Sequence, residues 1–415
     1  MADTSEYNIR KIRQQFPMLH QKMHGKPFIY LDSAATAHKP ASVIESMNRF
    51  YSEQYATVHR AVYDFASQAT DRHHAVRNKI KKFLNAAFAE EIIFTKGTTD
   101  GINLAAQSFS KAFLEEGDEV LISVMEHHSN IVPWQMVCKE RGAHLKFIPI
   151  NDRGELIFEE FEKLLTDRTK LVSIAHISNS TGTINPVEEI IKCAHARGAK
   201  VLIDGAQSAP HHPVDVQKLG VDFYVFSGHK AYGPTGIGVL YGKKNLLEKM
   251  PPYQGGGDMI EEVELESSTY QHPPMRFEAG TPPIAEVMGL GEAIDYIESI
   301  GRDKIAAWEQ DLLEYATQKM LGIKGLKIMG TAPRKGAIIS FQIKDLHPLD
   351  MGTLLDLRGI AVRTGHLCAQ PTLKRFGIGQ IARASFALYN THEEIDLFVK
   401  ALEEVSLLLR PSLSY

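Results

Sequence analysis

Val201-Leu202-Ile203-Asp204-Gly205-Ala206-Gln207-Ser208 reads as an apolar strand that ends in a carboxylate, with an amide side chain three residues on. Working outward from it, short β-rich runs recur at residues 91–95, 119–124, 144–150, 170–177, 200–204, 223–227 and 236–241. Segments of helical period, such as 156–165 and 187–197, lie between most of them, whereas the last two runs are joined by a loop. Strand–helix–strand alternation predicts an α/β fold, a mostly parallel sheet with helices on both faces. Ligands of such sheets collect at the carboxyl ends of the strands. Asp204 and Gln207 stand at one such end, where an Asp can also be an ordinary helix N-cap.

A second strand end carries Phe226-Ser227-Gly228-His229-Lys230-Ala231-Tyr232-Gly233-Pro234-Thr235-Gly236. Lysine is usually exposed, but it is also the side chain that forms Schiff bases once its amine is neutral. A pyridoxal 5'-phosphate (PLP) site pairs such a lysine with an acid for the pyridine nitrogen. Asp204 can be that partner of Lys230, with Gln207 bonding the phenolic oxygen. The phosphate needs its own cradle, and Thr95-Lys96-Gly97-Thr98-Thr99-Asp100-Gly101 offers one at a strand end that opens a helix. Backbone N–H groups and the helix dipole attract anions there, although threonines also cap helices. Ser227 and His229 can complete the cradle. Met125-Glu126-His127-His128-Ser129-Asn130 closes a further strand, and an imidazole there can stack on a ring and carry protons. A His pair also suits metals, but no carboxylate or thiolate cluster stands at metal spacing, so no metal is expected.

The chain has 415 residues, which favours two or three domains. Beyond about residue 285 the pattern changes: helical stretches at 284–300 and 303–321 precede strands near 337–343, 360–362 and 381–388. A closing helix follows, with Thr391 and Glu394 at capping-box spacing and an apolar stripe of Ile395, Phe398, Leu402 and Val405. The expected division is a large domain over 24–290 and a small α+β domain over 291–415, with residues 1–23 packed on the latter. Residues 251–283, rich in Gly and Pro, read as a long ordered loop.

Three cysteines at wide spacing exclude a disulfide framework and a zinc motif. Cys138 and Cys193 lie among apolar neighbours and read as small buried hydrophobes. Cys368 differs, because Arg363-Thr364-Gly365-His366-Leu367-Cys368-Ala369-Gln370-Pro371 is a polar loop with basic neighbours, where a thiolate is stabilised and accessible. Arg383, in Ile381-Ala382-Arg383-Ala384-Ser385-Phe386, suits bidentate capture of a carboxylate or a structural ion pair. The net charge of -4 without a basic block argues against nucleic acid or an anionic membrane as partner. No apolar run is long enough to span a bilayer, and residues 1–6 lack a signal or transit pattern, so a cytoplasmic protein is expected.

Taken together, these segments resemble the SufS-type (group II) cysteine desulfurases, which include selenocysteine lyase-like members, in the class V branch of fold-type I PLP-dependent transferases. The resemblance also rests on Tyr30-Leu31-Asp32-Ser33-Ala34-Ala35-Thr36, Val58-His59-Arg60 and Phe277-Glu278-Ala279-Gly280-Thr281-Pro282. It implies Lys230 as the Schiff-base lysine, Asp204 as pyridinium partner, Gln207 on the phenolic oxygen and His127 stacked on the ring. Thr98, Thr99, Ser227 and His229 would hold the phosphate. Thr281 would reach the phosphate in a partner subunit, which implies an obligate homodimer. Arg383, assisted by Asn179, would grip the carboxylate of L-cysteine, with Arg363 and His59 at the entrance. Cys368 would take the sulfur as a persulfide, release alanine and serve an acceptor protein of SufE-like or SufU-like type in iron–sulfur cluster assembly.

Two departures stand out. Leu367 occupies the place where the family commonly has a second His before the Cys. Leu349 stands where relatives that feed a zinc-bearing acceptor have His, which favours a zinc-free, SufE-like acceptor. Selenocysteine lyase activity would use the same site. An aminotransferase would use Lys230, Asp204 and Arg383 but has no need of Cys368, and a sulfur carrier without a cofactor would have no need of the PLP set.

Overall fold

The computed structural model describes residues 7–409. The leader-free N-terminus read on residues 1–6, and residues 410–415 of the expected small domain, lie outside the described residues.

Seven strands form the central sheet: β1 Ile92–Thr95, β2 Glu119–Ser123, β3 His144–Ile148, β4 Thr169–Ala175, β5 Lys200–Asp204, β6 Phe223–Ser227 and β7 Gly238–Gly242. Their order is β1-β7-β6-β5-β4-β2-β3. β2 to β6 run parallel. β7 runs antiparallel to both neighbours, β1 and β6. This is the mostly parallel α/β sheet of fold-type I. β6 and β7 are joined without a helix, as the loop between them predicts, and that is why β7 reverses. The middle strands are apolar over most of their length, because helices cover both faces: β2 and β6 are buried at every position.

A second sheet is antiparallel, β8 Leu326–Met329, β9 Ile338–Ile343, β10 Arg363–Gly365 and β11 Ile381–Ser385, in the order β8-β9-β11-β10. Its core joins Ile339, Phe341, Ala382 and Ala384 to Leu312 and Ala316 of the helix Arg302–Leu321, and to Ile395, Phe398 and Leu402 of the helix His392–Leu409. The last helix has its capping box: Thr391 Oγ1 accepts from the Glu394 N–H at 3.2 Å, and Glu394 Oε2 accepts from the Thr391 N–H at 3.2 Å. Ile29 and Leu31 lie in this second core, and Ser385 N–H donates to the Leu31 carbonyl. Residues 29–32 thus stitch the early chain to the second sheet. Near the N-terminus, Tyr7 stacks on Trp308 and Arg13 pairs with Glu394 at 2.9 Å.

Within the expected loop of residues 251–283 the structure has an exposed hairpin of strands Ile260–Val263 and Ser268–Tyr270. With no buried face, it leaves no hydrophobic alternation for a sequence reading to find. Among the described residues, no helix is long and apolar enough to cross a membrane.

Candidate active site

Five strand ends of the central sheet carry polar residues into one cavity of about 270 Å³ between the two sheets. Thr98 and Thr99 come from beyond β1, His127 from beyond β2, Asn179 from beyond β4, and Asp204 and Gln207 from the end of β5. Ser227, His229 and Lys230 come from the end of β6. The second sheet adds Arg363, Cys368 and Arg383. His59 and Thr281 are not brought to this cavity. His59 packs against His73 and His74, and Thr281 is exposed.

At one end stands the amino terminus of the helix Thr98–Phe113. Ser227 Oγ accepts from the Thr98 N–H at 2.8 Å and lies 2.8 Å from Thr98 Oγ1. Gly97 precedes it with φ +149, and a Cβ there would meet Ser227 Oγ at 3.3 Å. Thr99 Oγ1 lies 2.7 Å from Ser129 Oγ, which lies 2.9 Å from His127 Nδ1. The Ser129 N–H donates to Nδ1 at 3.1 Å, so the ring proton of neutral His127 sits on Nε2. Burial, and then the nearby Lys230 cation, push the His127 pKa down to about 3.

At the other end the buried Asp204 accepts one N–H, from Ala206 at 2.9 Å. Burial holds its carboxyl above the usual carboxylate range, against that bond and the Lys230 charge. Burial lowers the Lys230 amine to about 8, with Asp204 acting in the opposite sense. At neutral pH a useful fraction of that amine is therefore unprotonated. The Lys230 turn is fastened by the carbonyl of His229, which accepts from the Ala37 N–H, Thr36 Oγ1 and Lys39 Nζ. His229 Nδ1 lies 3.1 Å from Thr36 Oγ1. Gln207 Nε2 donates to the Ala34 carbonyl at 2.7 Å.

Arg383 is buried, with Nη2 on Asp32 at 2.9 Å and Nη1 on the Asn179 carbonyl at 2.9 Å, while Nε has no partner. Cys368 is exposed at the rim. It follows Leu367 in a turn where both have left-handed φ, 55° and 52°. Each such L-residue costs roughly 1–2 kcal/mol, so neighbours must hold the turn. They do: Asn179 Nδ2 donates to the Leu367 carbonyl at 2.7 Å, and the His128 N–H donates to the Cys368 carbonyl at 2.9 Å. Leu367 itself is buried beside Leu373 and Ile381, so the departure from the family's His has become a hydrophobic anchor.

Three contributors are missed by sequence reasoning. Ser129 links the Thr99 cradle to His127, and Asp32 pairs with Arg383; both lie inside quoted motifs, but their partners are far away in sequence. Glu126, the residue before His127, is buried, accepting from Ser123, from Asn130 Nδ2 at 2.6 Å and from the Ala175 N–H at 2.8 Å, and burial pushes its pKa up to about 8.

The donor set fits PLP. A hydroxyl and N–H cradle for a phosphate, a buried carboxylate for a ring nitrogen and an amine lowered towards neutrality share one cavity, flanked by a flat neutral imidazole.

The sequence profile of the aminotransferase class-V family matches residues 29–398. A relative from Halalkalibacterium halodurans named probable cysteine desulfurase is 51% identical over 96% of this chain and 98% of its own length. A Mycolicibacterium paratuberculosis protein of the same name is 48% identical over 96% of this chain, and the chain spans 58% of that longer protein. The crystal structure of the Escherichia coli cysteine desulfurase CsdA superposes with a TM-score of 0.90 at 40% identity, covering 97% of this chain and 100% of that one. The chain belongs to the class-V aminotransferase family, whose members depend on PLP.

Proposed function

We propose that the protein is a PLP-dependent cysteine desulfurase that converts L-cysteine to L-alanine and keeps the sulfur as a persulfide on Cys368. One observation carries this reading: an exposed thiol, Cys368, lines the same cavity as Lys230, Asp204 and Arg383. An aminotransferase has no use for that thiol. The names of the relatives support the same activity.

Thr98, Thr99, Ser227 and His229 would hold the cofactor phosphate, Asp204 its ring nitrogen and Gln207 its phenolic oxygen. His127 would stack on its face, and Lys230 would anchor it. When bound, the cofactor withdraws electrons from the substrate Cα and labilises the bonds there. Arg383 binds the substrate carboxylate through charge-assisted hydrogen bonds. Lys230 Nζ, lowered by burial, takes the Cα proton and later returns a proton to carbon. The Cys368 thiolate attacks the substrate sulfur, so an S–S bond forms as the C–S bond breaks. The substrate's β-carbon is reduced to the methyl group of alanine, and the transferred sulfur is oxidised to the persulfide level.

Several further parts of the reading go together. The exposure of Cys368 suits delivery to an acceptor protein of SufE-like type, for iron–sulfur cluster assembly in the cytoplasm. Thr281 is exposed and off its own cavity, which suits contact with the phosphate site of a second copy in a homodimer. His59 and Arg363 would border that shared entrance. The chain reads as a large cofactor domain over 24–290 and a small domain over 291–415 with residues 1–23 packed on it. The second core supports the small domain, whereas Ile12, Phe16, Ile294 and Ile297 sit in the first core and Ile29 and Leu31 in the second, so the seam does not follow those bounds residue by residue.

The test is direct. Purified protein is expected to be yellow, and to form equimolar alanine and sulfide from L-cysteine when a reductant is present. Cys368→Ala is expected to stay yellow and to lose most of its turnover. Desulfuration by that variant at the wild-type rate would remove the persulfide assignment.

A further inference from the structure

We propose that Asn179 is a positioning residue for Cys368, which joins the seat of the substrate carboxylate to the seat of the nucleophile. The proposal rests on the desulfurase reading for its kinetics, though not for its geometry.

The turn that carries Cys368 has one bond of its own, from the Ala369 N–H to the His366 carbonyl at 2.9 Å, set against two strained residues. Leu367 and Cys368 are consecutive left-handed residues, a conformation that L side chains resist. Both carbonyls of the pair are instead fixed by the central sheet's loops. The Leu367 carbonyl takes the Asn179 side-chain N–H at 2.7 Å, and the Cys368 carbonyl takes the His128 backbone N–H at 2.9 Å. The second of these is a main-chain contact that any residue at 128 would make. The first depends on one side chain.

Asn179 is itself buried, and it is held from the opposite side. Its backbone carbonyl accepts Arg383 Nη1 at 2.9 Å. An unbroken hydrogen-bonded path therefore runs from the Arg383 guanidinium through Asn179 to the Leu367 carbonyl, one residue from the sulfur. The orientation of the Asn179 amide is set by the Cys368 turn. A second N–H remains on that nitrogen, so the resemblance's assisting contact to a substrate carboxylate is sterically compatible. The proposal assigns the larger effect to the turn.

The two roles make different demands on Asn179→Ala. A positioning role predicts that kcat for persulfide formation falls about 10- to 100-fold, the cost of a misplaced reacting atom. L-Cysteine affinity, measured by the visible spectrum of the holoenzyme in a Cys368→Ala background, is expected to change less than about twofold when Asn179→Ala is added, since uniform binding is untouched. In the resting holoenzyme, alkylation of Cys368 by iodoacetamide is expected to speed up several-fold in the Asn179→Ala variant as the turn loosens. Asn179→Asp, nearly isosteric but without the N–H donor, is expected to show the same loss of kcat and the same faster alkylation, its added charge acting on affinity separately, and serves if the alanine variant does not fold. Two outcomes overturn the proposal: affinity falling about tenfold with kcat intact, the mark of a lost ground-state carboxylate ligand, or unchanged kcat and alkylation. Should the wild-type enzyme make no alanine from L-cysteine, the functional reading fails, and the alkylation comparison still decides whether Asn179 holds the turn.

Discussion

Asp32 and Arg383 form an ion pair at 2.9 Å across the seam between the two sheets, and among the described residues Asp32 is the one ion-pair partner of that buried guanidinium. Arg383 stays cationic in folded proteins. Removing Asp32 leaves a buried charge unpaired and frees the guanidinium to turn. Asp32→Asn is expected to lower unfolding free energy by about 3 kcal/mol, read from urea titration. It is also expected to raise KM for L-cysteine by roughly tenfold with a smaller effect on kcat. An unaltered KM would show that the Asn179 carbonyl alone seats Arg383.

Proton transfer at Lys230 sets a pH dependence. Burial lowers the amine to about 8, and the base is active when neutral, so kcat is expected to rise with pH through that region and level off above it. His127, lowered to about 3, stays neutral across the working range and contributes no limb of its own. A kcat profile flat from about pH 6 to 9 would place the rate-limiting step outside proton transfer to Lys230.

Acid is expected to destabilise the fold steeply. Burial lowers His73 to about 3, and His176 and His212 to about 4. The folded chain keeps these rings neutral where the unfolded chain, at about 6.5, protonates them. The unfolded state then binds more protons, so stability is full above about 6.5 and is lost as pH falls from there toward 4. His38, His127 and His229, lowered to about 4, 3 and 4, act in the same sense and the raised Glu126 in the opposite one, and the urea midpoint is expected to fall as pH drops from 7 to 5. A midpoint constant between pH 7 and 5 would contradict this.

The phosphate cradle depends on close backbone approach. A Cβ at Gly238 would lie 2.5 Å from Gly97 Cα and 2.7 Å from the Phe226 carbonyl, which forces β1 and β7 apart just below the cradle. Gly238→Ala is expected to weaken PLP binding by at least about tenfold, through about 1–3 kcal/mol of overpacking strain. Dialysis against buffer followed by the visible spectrum gives the readout. Cofactor retention equal to wild type would mean the strands part without disturbing Thr98.

Much of this architecture is legible in the sequence, for physical reasons. β5 and β6 match their predicted bounds because a fully buried strand is an apolar run that stops where its polar end reaches the ligand cavity. The strand β10, Arg363–Gly365, reads as loop because it is an edge strand of polar, partly exposed residues. The helix Asp64–Leu84 escapes notice because its buried face includes His73 and Arg77, which break the apolar stripe. Lys230, Asp204, Thr98 and His127 converge because each follows a strand of one sheet, a relation that alternation reveals. Contacts such as Ser129 with Thr99, or Asn179 with Leu367, depend on how loops meet after folding, and spacing along the chain carries no trace of them.

The cavity is shared by two sheets. The strand ends of the first bring Asp204 and Lys230, and the second brings Arg383, with the Cys368 turn anchored beside it through Leu367. Neither sheet alone carries the whole site: the residues that would seat the coenzyme stand on one, the carboxylate anchor and the thiol stand on or beside the other, and the chemistry needs their meeting.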